Sequence, residues 1–146
     1  MDFDVQVKLA IYRHFAETGQ RPTLEEIASR VASSAERILA AYRRLRTLRV
    51  LVLEEDGVSI RMAPPFSGIP TQYLVVSHKV LYYANCAWDT LGVPAALHQS
   101  AIVHSRCEQS GIPLKLKVEL DGPEPCDWVF HSLVPAAKWW DDIVFT

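Results

Sequence analysis

Nowhere in these 146 residues does an apolar run approach the roughly 20 residues that a membrane-crossing helix needs, so no membrane partner is expected. No sign of charge dominates either. Fifteen Lys and Arg face seventeen Asp and Glu, and a formal net charge of -2 offers no broad basic field to nucleic acid or anionic lipid. The N-terminus, "MDFDVQVKLA", carries two acids and no basic leader region, which argues against a secretory signal and for a cytoplasmic protein. Cysteine is scarce. Cys86, Cys107 and Cys126 are odd in number and irregular in spacing, so free thiols are expected and a disulfide framework is not. No CxxC or paired HxxxH motif supports a zinc site. With 49% hydrophobic and 22% charged residues, the composition is that of a globular chain, long enough for one ordinary domain or two small ones.

The first sixty residues predict three helices and a hairpin. Asp4 to Glu17 places Val7, Ile11 and Phe15 at helical spacing, and Gly19 ends the run. Thr23 opens a second helix, with Glu26 three residues later in capping-box form. Ser33 is expected to open a third, with Glu36 three residues on and Ile38, Tyr42 and Leu45 in its buried stripe. "VLVLEEDGVSIRM" then reads as a hairpin about a Glu-Asp-Gly turn. Three helices and a two-stranded wing form the winged-helix order. The third helix carries Arg37, Arg43, Arg44, Arg46 and Arg49, which in such a module can reach DNA. Residues 1–64 nevertheless hold ten basic and nine acidic side chains, so a packing and lid element is favoured over a DNA reader.

Three prolines and a glycine in "APPFSGIPTQY" set the expected subdomain boundary between residues 63 and 64. Beyond it the chain reads as mixed α and β. "YLVVS" and "AIVHSR" are expected strands. "LKLKVEL" alternates strictly and predicts a half-buried strand. "WVFHSLV" and "IVFT" also read as strands, and "PAAKWWDD" as a short helical turn. Val80 to Leu91 reads as a buried helix, with Gly92 as its C′ residue and Pro94 beyond.

That last segment carries the chemistry. On a helix, Cys86 and Asp89 would share one face, with Tyr82 a turn before. A free cysteine is often simply buried, but a carboxylate rarely enters an apolar helix without a partner or a task. Packing and function stand about equal on spacing alone. A thiolate is a nucleophile and a soft metal ligand, and a carboxyl group in an apolar pocket can hold and deliver a proton. Cys107, in "HSRCEQSGIP", has His104 and Arg106 nearby, but reads best as a turn cysteine. Cys126 reads as a free loop cysteine.

"YANCAWDTLGVPAAL", followed by "AIVHSRCEQSGIPLKLKV" and "VPAAKWWDDIVFT", resembles the alkylmercury lyases, or organomercurial lyases, over roughly residues 64 to 146. The resemblance implies protonolytic cleavage of a carbon–mercury bond. Cys86 would bind the mercury and Asp89 would take part in the proton transfer that releases a hydrocarbon. No organic cofactor is implied. Mercury enters as substrate, and the mercury(II) product passes to cellular thiols or a mercury reductase. Cys107 matches a turn cysteine that is not part of the core catalytic set. A second mercury-binding cysteine is expected just after a segment like "WWDDIVFT"; the residues to Thr146 do not include it, which leaves Cys126 as the candidate for that role.

The sequence therefore predicts an α+β protein. Residues 1–63 form a winged-helix-like subdomain, and residues 64–146 a mixed sheet with a packed helix bearing Cys86 and Asp89. The leading function is alkylmercury lyase. The alternatives are a catalytically incomplete relative that binds thiophilic metal, or a DNA-binding, metal-responsive regulator.

Overall fold

The computed structural model describes residues 1–145 as helices and two antiparallel sheets around one core. Helix α1 (Phe3–Thr18) starts where the Asp2 carboxylate accepts from Asp4 N–H at 2.8 Å, and stops at Gly19 in the left-handed conformation. Helix α2 (Leu24–Val31) has the expected capping box between Thr23 and Glu26. Helix α3 (Ala35–Thr47) is capped by Ser34 rather than Ser33. Ser33 still belongs to the end of α2, where its N–H donates to the Ala28 carbonyl, and it is the Ser34 hydroxyl that accepts from the Arg37 N–H at 3.3 Å. Val7, Ile11, Phe15, Ile27, Ile38, Tyr42 and Leu45 meet at the centre of these three helices.

Strands β1 (Val52–Leu53), β2 (Ile60–Ala63) and β3 (Phe66–Ser67) form a small antiparallel sheet in that order. The proline-rich segment thus supplies a third strand beyond the expected hairpin, and the core is continuous across residues 63 and 64. Phe66 stacks on Phe15 with ring centroids 5.3 Å apart and lies 5.7 Å from Tyr82. A bridge between Phe66 and Ala84 joins this sheet to the larger one.

The larger sheet has five antiparallel strands in the order β5-β4-β6-β7-β8, formed by β4 (Leu74–Ser77), β5 (Val80–Tyr83), β6 (Ala101–Arg106), β7 (Pro113–Glu119) and β8 (Gly122–Pro123). In β7 the expected alternation holds for Leu114, Leu116 and Val118, whereas Leu120 lies past the strand and is exposed.

The helix expected over Val80 to Leu91 is not there. Val80–Tyr83 is β5, paired with β4 from Ser77–Val80 to Leu74–Tyr83. The two residues between them, His78 and Lys79, both have positive φ (47° and 68°), the geometry of a tight hairpin whose twist suits the strands. The segment is uniformly apolar, so its period cannot separate a buried strand from a buried helix. Helix α4 (Asp89–Leu97) begins only after a turn at residues 85–88, and it runs through Gly92 and Pro94 to a left-handed His98. Gly92 is a packing requirement rather than a helix end: a Cβ there would lie 2.9 Å from Pro65 Cβ.

"WVFHSLV" is also not a strand. Glu124 makes the last backbone bond to β7, through its N–H to the Lys117 carbonyl, and Pro125 has no N–H to extend the ladder. Residues 124–135 are an irregular arm, followed by the expected short helical turn, a 3₁₀ helix over Ala136–Asp141. Trp139 Nε1 pins the arm by donating to the Val134 carbonyl at 2.8 Å. Ile143 to Phe145 form a turn in place of the expected strand, and Thr146 lies outside the described residues.

Candidate functional site

Cys86 sits in the turn between β5 and α4, and Asp89 is the first residue of α4. The two are not stacked on one helical face. They nevertheless line the same cavity, of about 720 Å³, at the junction of the two sheets and the C-terminal arm. The turn aims the backbone N–H groups of Trp88 and Asp89 at the Cys86 sulfur. Burial pushes the Cys86 thiol up, the Asp89 charge pushes the same way, and the two N–H bonds oppose both. The turn is closed by the Thr90 hydroxyl, which donates to the Ala87 carbonyl at 2.5 Å.

Burial likewise raises Asp89 above the usual carboxylate range, partly offset by a hydrogen bond from Asn85 Nδ2 to Asp89 Oδ2 at 3.0 Å. The same Nδ2 donates to the Phe66 carbonyl at 3.2 Å. Tyr12 of α1 reaches this region from the N-terminal half. Its hydroxyl donates to the Pro64 carbonyl at 2.9 Å, and it is pushed up to about 12 by burial and then by the Asp89 charge. Met62 and Pro64 complete the N-terminal wall of the cavity.

Tyr73 and Glu108 also line the cavity. The Tyr73 hydroxyl donates to Glu108 Oε1 at 2.5 Å, and Gln72 Nε2 donates to the same oxygen. Trp88, Phe130, Trp139 and Trp140 give the cavity an aromatic side, with the Trp88 and Phe130 rings 5.8 Å apart, and the polar His131 and Ser132 of the arm also line it. A thiol, a half-buried carboxyl group and aromatic side chains in one cavity can hold a soft electrophile and give a proton to an apolar fragment bound to it.

The other anticipated residues lie elsewhere. Tyr82 points away, into the core, and its hydroxyl donates to the Ala16 carbonyl at 2.5 Å. Cys107 begins the β6–β7 turn, and its thiol is held below the usual value by the Ser110 hydroxyl and by backbone N–H groups of Ser110 and Gln109. Cys126 is exposed on the arm. Neither Cys107 nor Cys126 is among the residues that line the cavity. The sequence did not single out Asn85, Tyr73 and Glu108. A polar Asn85 beside Cys86 in an apolar stretch was a visible signal; Tyr73 and Glu108, thirty-five positions apart, had none.

The family model for the alkylmercury lyases matches residues 66–146. Two curated alkylmercury lyases, from Bacillus cereus and Clostridium butyricum, are each 32% identical to this chain over 121 residues. The match takes in 80% of this chain and 53% of each relative, so the chain spans about half the length of the curated relatives it matches. A solved structure, the mercury-bound form of MerB2, superposes with a TM-score of 0.64 over 82% of this chain and 59% of its own, at 22% identity, which is a likeness of fold. No described helix is long and apolar enough to cross a membrane. With its fold, its Cys86–Asp89 cavity and more than half of its length matched by the family model, this chain belongs to the alkylmercury lyase family.

Proposed function

We propose that this protein cleaves the carbon–mercury bond of organomercurials, with Cys86 and Asp89 as its catalytic residues. The observation that carries the reading is the shared cavity, in which a thiol meets a half-buried carboxyl group whose pKa is raised by desolvation. The Cys86 sulfur displaces the outgoing ligand of an R–Hg–X substrate and forms S–Hg–R; the thiol proton leaves with X. The Trp88 and Asp89 N–H groups stabilise the sulfur as it takes on charge. Asp89 then gives its proton to the carbon. The electron pair of the C–Hg bond becomes the C–H bond, R–H departs, and mercury stays divalent between the Cys86 thiolate and the new Asp89 carboxylate. A small thiol completes the cycle by taking the mercury, with a cellular thiol or a mercury reductase as the final acceptor.

The N-terminal half acts here as a wall of the site. Met62 and Pro64 line the cavity, Arg44 is engaged with Asp4 at 2.7 Å, and Arg37 lies over the Phe3 ring. These contacts support a packing role over DNA reading.

One observation supports a second reading. Cys86 is the sole cysteine among the described residues that line the cavity, so a chain that traps organomercurials without turnover is the rival. The assay that separates them is hydrocarbon evolution from phenylmercury, run with and without excess small thiol beside a binding measurement. The lyase reading expects one-to-one capture and thiol-supported benzene release. Cys86→Ser abolishes both, whereas Asp89→Ala spares capture and stops release. Capture without release at any thiol concentration favours the trap, and undiminished capture by Cys86→Ser rejects the site.

A further inference from the structure

We propose that Asn85 is a positioning residue for proton transfer: it clamps Asp89 to the Phe66 carbonyl and leaves Asp89 Oδ1 as the oxygen that carries the transferable proton. The inference rests on the protonolysis reading above.

The geometry of one side-chain nitrogen carries it. Asn85 Nδ2 donates to Phe66 O at 3.2 Å and to Asp89 Oδ2 at 3.0 Å. An amide nitrogen has two N–H groups and accepts nothing, while a backbone carbonyl accepts and never donates. The Phe66 carbonyl therefore determines which end of the amide faces it. Turned over, Asn85 would set its oxygen against the Phe66 oxygen and lose the bond. Asn85 Oδ1 is buried without a hydrogen-bond partner among the described residues, yet turning the amide over would cost the bond to Phe66.

The consequence falls on Asp89. Because only N–H faces Asp89 Oδ2, that oxygen is held as an acceptor. A carboxylic proton on Oδ2 in that direction would meet the amide N–H head on. The carbonyl-type oxygen of a carboxylic acid accepts an N–H better than the hydroxyl oxygen does, so the proton is directed to Oδ1, which lies on the Gly92 side, 3.9 Å from where a Gly92 Cβ would be. The anchor at the other end is firm. Phe66 is 2% exposed, its ring stacks on Phe15, and its strand pairs with β2 and bridges to Ala84. A carboxyl group tied to such a point keeps its orientation while the substrate's carbon approaches. Small displacements of a reacting group cost large factors in rate, so the tie acts on the proton-transfer step and not on capture by Cys86.

The test uses the full chain with phenylmercury as probe. Asn85→Leu keeps the approximate volume and removes the donor, Asn85→Ala removes it with less bulk, and Asn85→Gln keeps an amide on a longer arm. Stoichiometric capture is read by intact mass, and benzene release is followed from the preformed adduct in excess small thiol. N85L and N85A are expected to capture as the wild type does and to release benzene at least roughly tenfold more slowly, the worth of one hydrogen bond to an ionisable group. N85Q is expected to recover part of that loss. Wild-type release rates in N85L or N85A overturn the proposal, as does a loss of capture that parallels the loss of release. If the wild type captures but never releases, the protonolysis reading fails by itself. The clamp is then judged by the ¹³C resonance of the Asp89 carboxyl group: displacement in N85A upholds it, and coincidence with wild type overturns it.

Discussion

Adding one methyl group at Gly92 tests how tightly the site depends on the packing of α4. A Cβ at that position would sit 2.9 Å from Pro65 Cβ, and the next nearest atom is Pro65 Cγ at 3.5 Å. Carbon atoms prefer about 3.5–4.0 Å, so the helix and the proline ring must separate by about 0.6–1.1 Å. The ring is rigid and cannot swing aside as a long side chain would. Overpacking of this kind costs about 1–3 kcal/mol. Alanine recovers up to about 1 kcal/mol through its better helix propensity. The expected net effect on stability is thus a loss of about 0–2 kcal/mol, read as a modest fall in the denaturant midpoint with unchanged slope. The effect on chemistry is larger. Gly92 lies about one helical turn after Asp89, and Asp89 is tied through Asn85 to Phe66, the residue that follows Pro65. A shift of about 1 Å at that point can cost about a hundredfold in rate. Gly92→Ala should therefore capture phenylmercury normally and release benzene far more slowly than its stability loss explains. A variant as active as wild type would refute the argument, because it would show that α4 can retreat from Pro65 without moving the carboxyl group.

Other expectations can be checked directly. Gly19→Ala should lower stability severely by chemical denaturation, since Gly19 has φ +72° and an added Cβ would fall 2.0 Å from the Leu81 carbonyl oxygen. Asp89 is raised in the folded state, so its stabilising protonated form is complete below the unfolded carboxylate value of about 4 and is lost as pH rises through the folded value. Asp89→Asn should accordingly gain stability over wild type toward neutral pH, with the gain vanishing in acid; a pH-independent difference would reject burial as the cause. In a Cys107→Ser, Cys126→Ser background, Asp89→Asn should also lower the pH at which Cys86 is alkylated, because the Asp89 charge is one of the causes that hold the thiol up. In the wild type, Cys107 should be alkylated at lower pH than Cys86, since its turn stabilises the thiolate whereas burial opposes it at Cys86.

Features set within a few residues of one another are legible in the sequence. Thr23 and Glu26 announce a helix start because both halves of the capping box lie in one turn of chain. The alternation of Leu114, Leu116 and Val118 announces a strand because period two has no helical equivalent. Cys86 and Asp89 stand out because a carboxyl group is costly among apolar neighbours, and three residues of separation keep them close in a turn as they would in a helix. Where the local signal is uniform, the sequence misleads. Val80–Tyr83 is a strand because β4 offers it a ladder across the His78–Lys79 turn, and nothing inside the apolar run records that partner. "WVFHSLV" has the composition of a strand, but the edge of β7 is already closed by Glu124 and Pro125. By itself, then, the sequence determined the helices of the N-terminal half, the strongest strand and the closeness of the Cys86 thiol to the Asp89 carboxyl group, all held by interactions within a turn or a strand. Only the tertiary structure decided what surrounds that pair. The Phe66 carbonyl, Tyr12, Glu108 and the arm around Trp139 converge on the Cys86–Asp89 region from separate parts of the chain, and hydrogen bonding and burial depend on distance in space, not along the backbone.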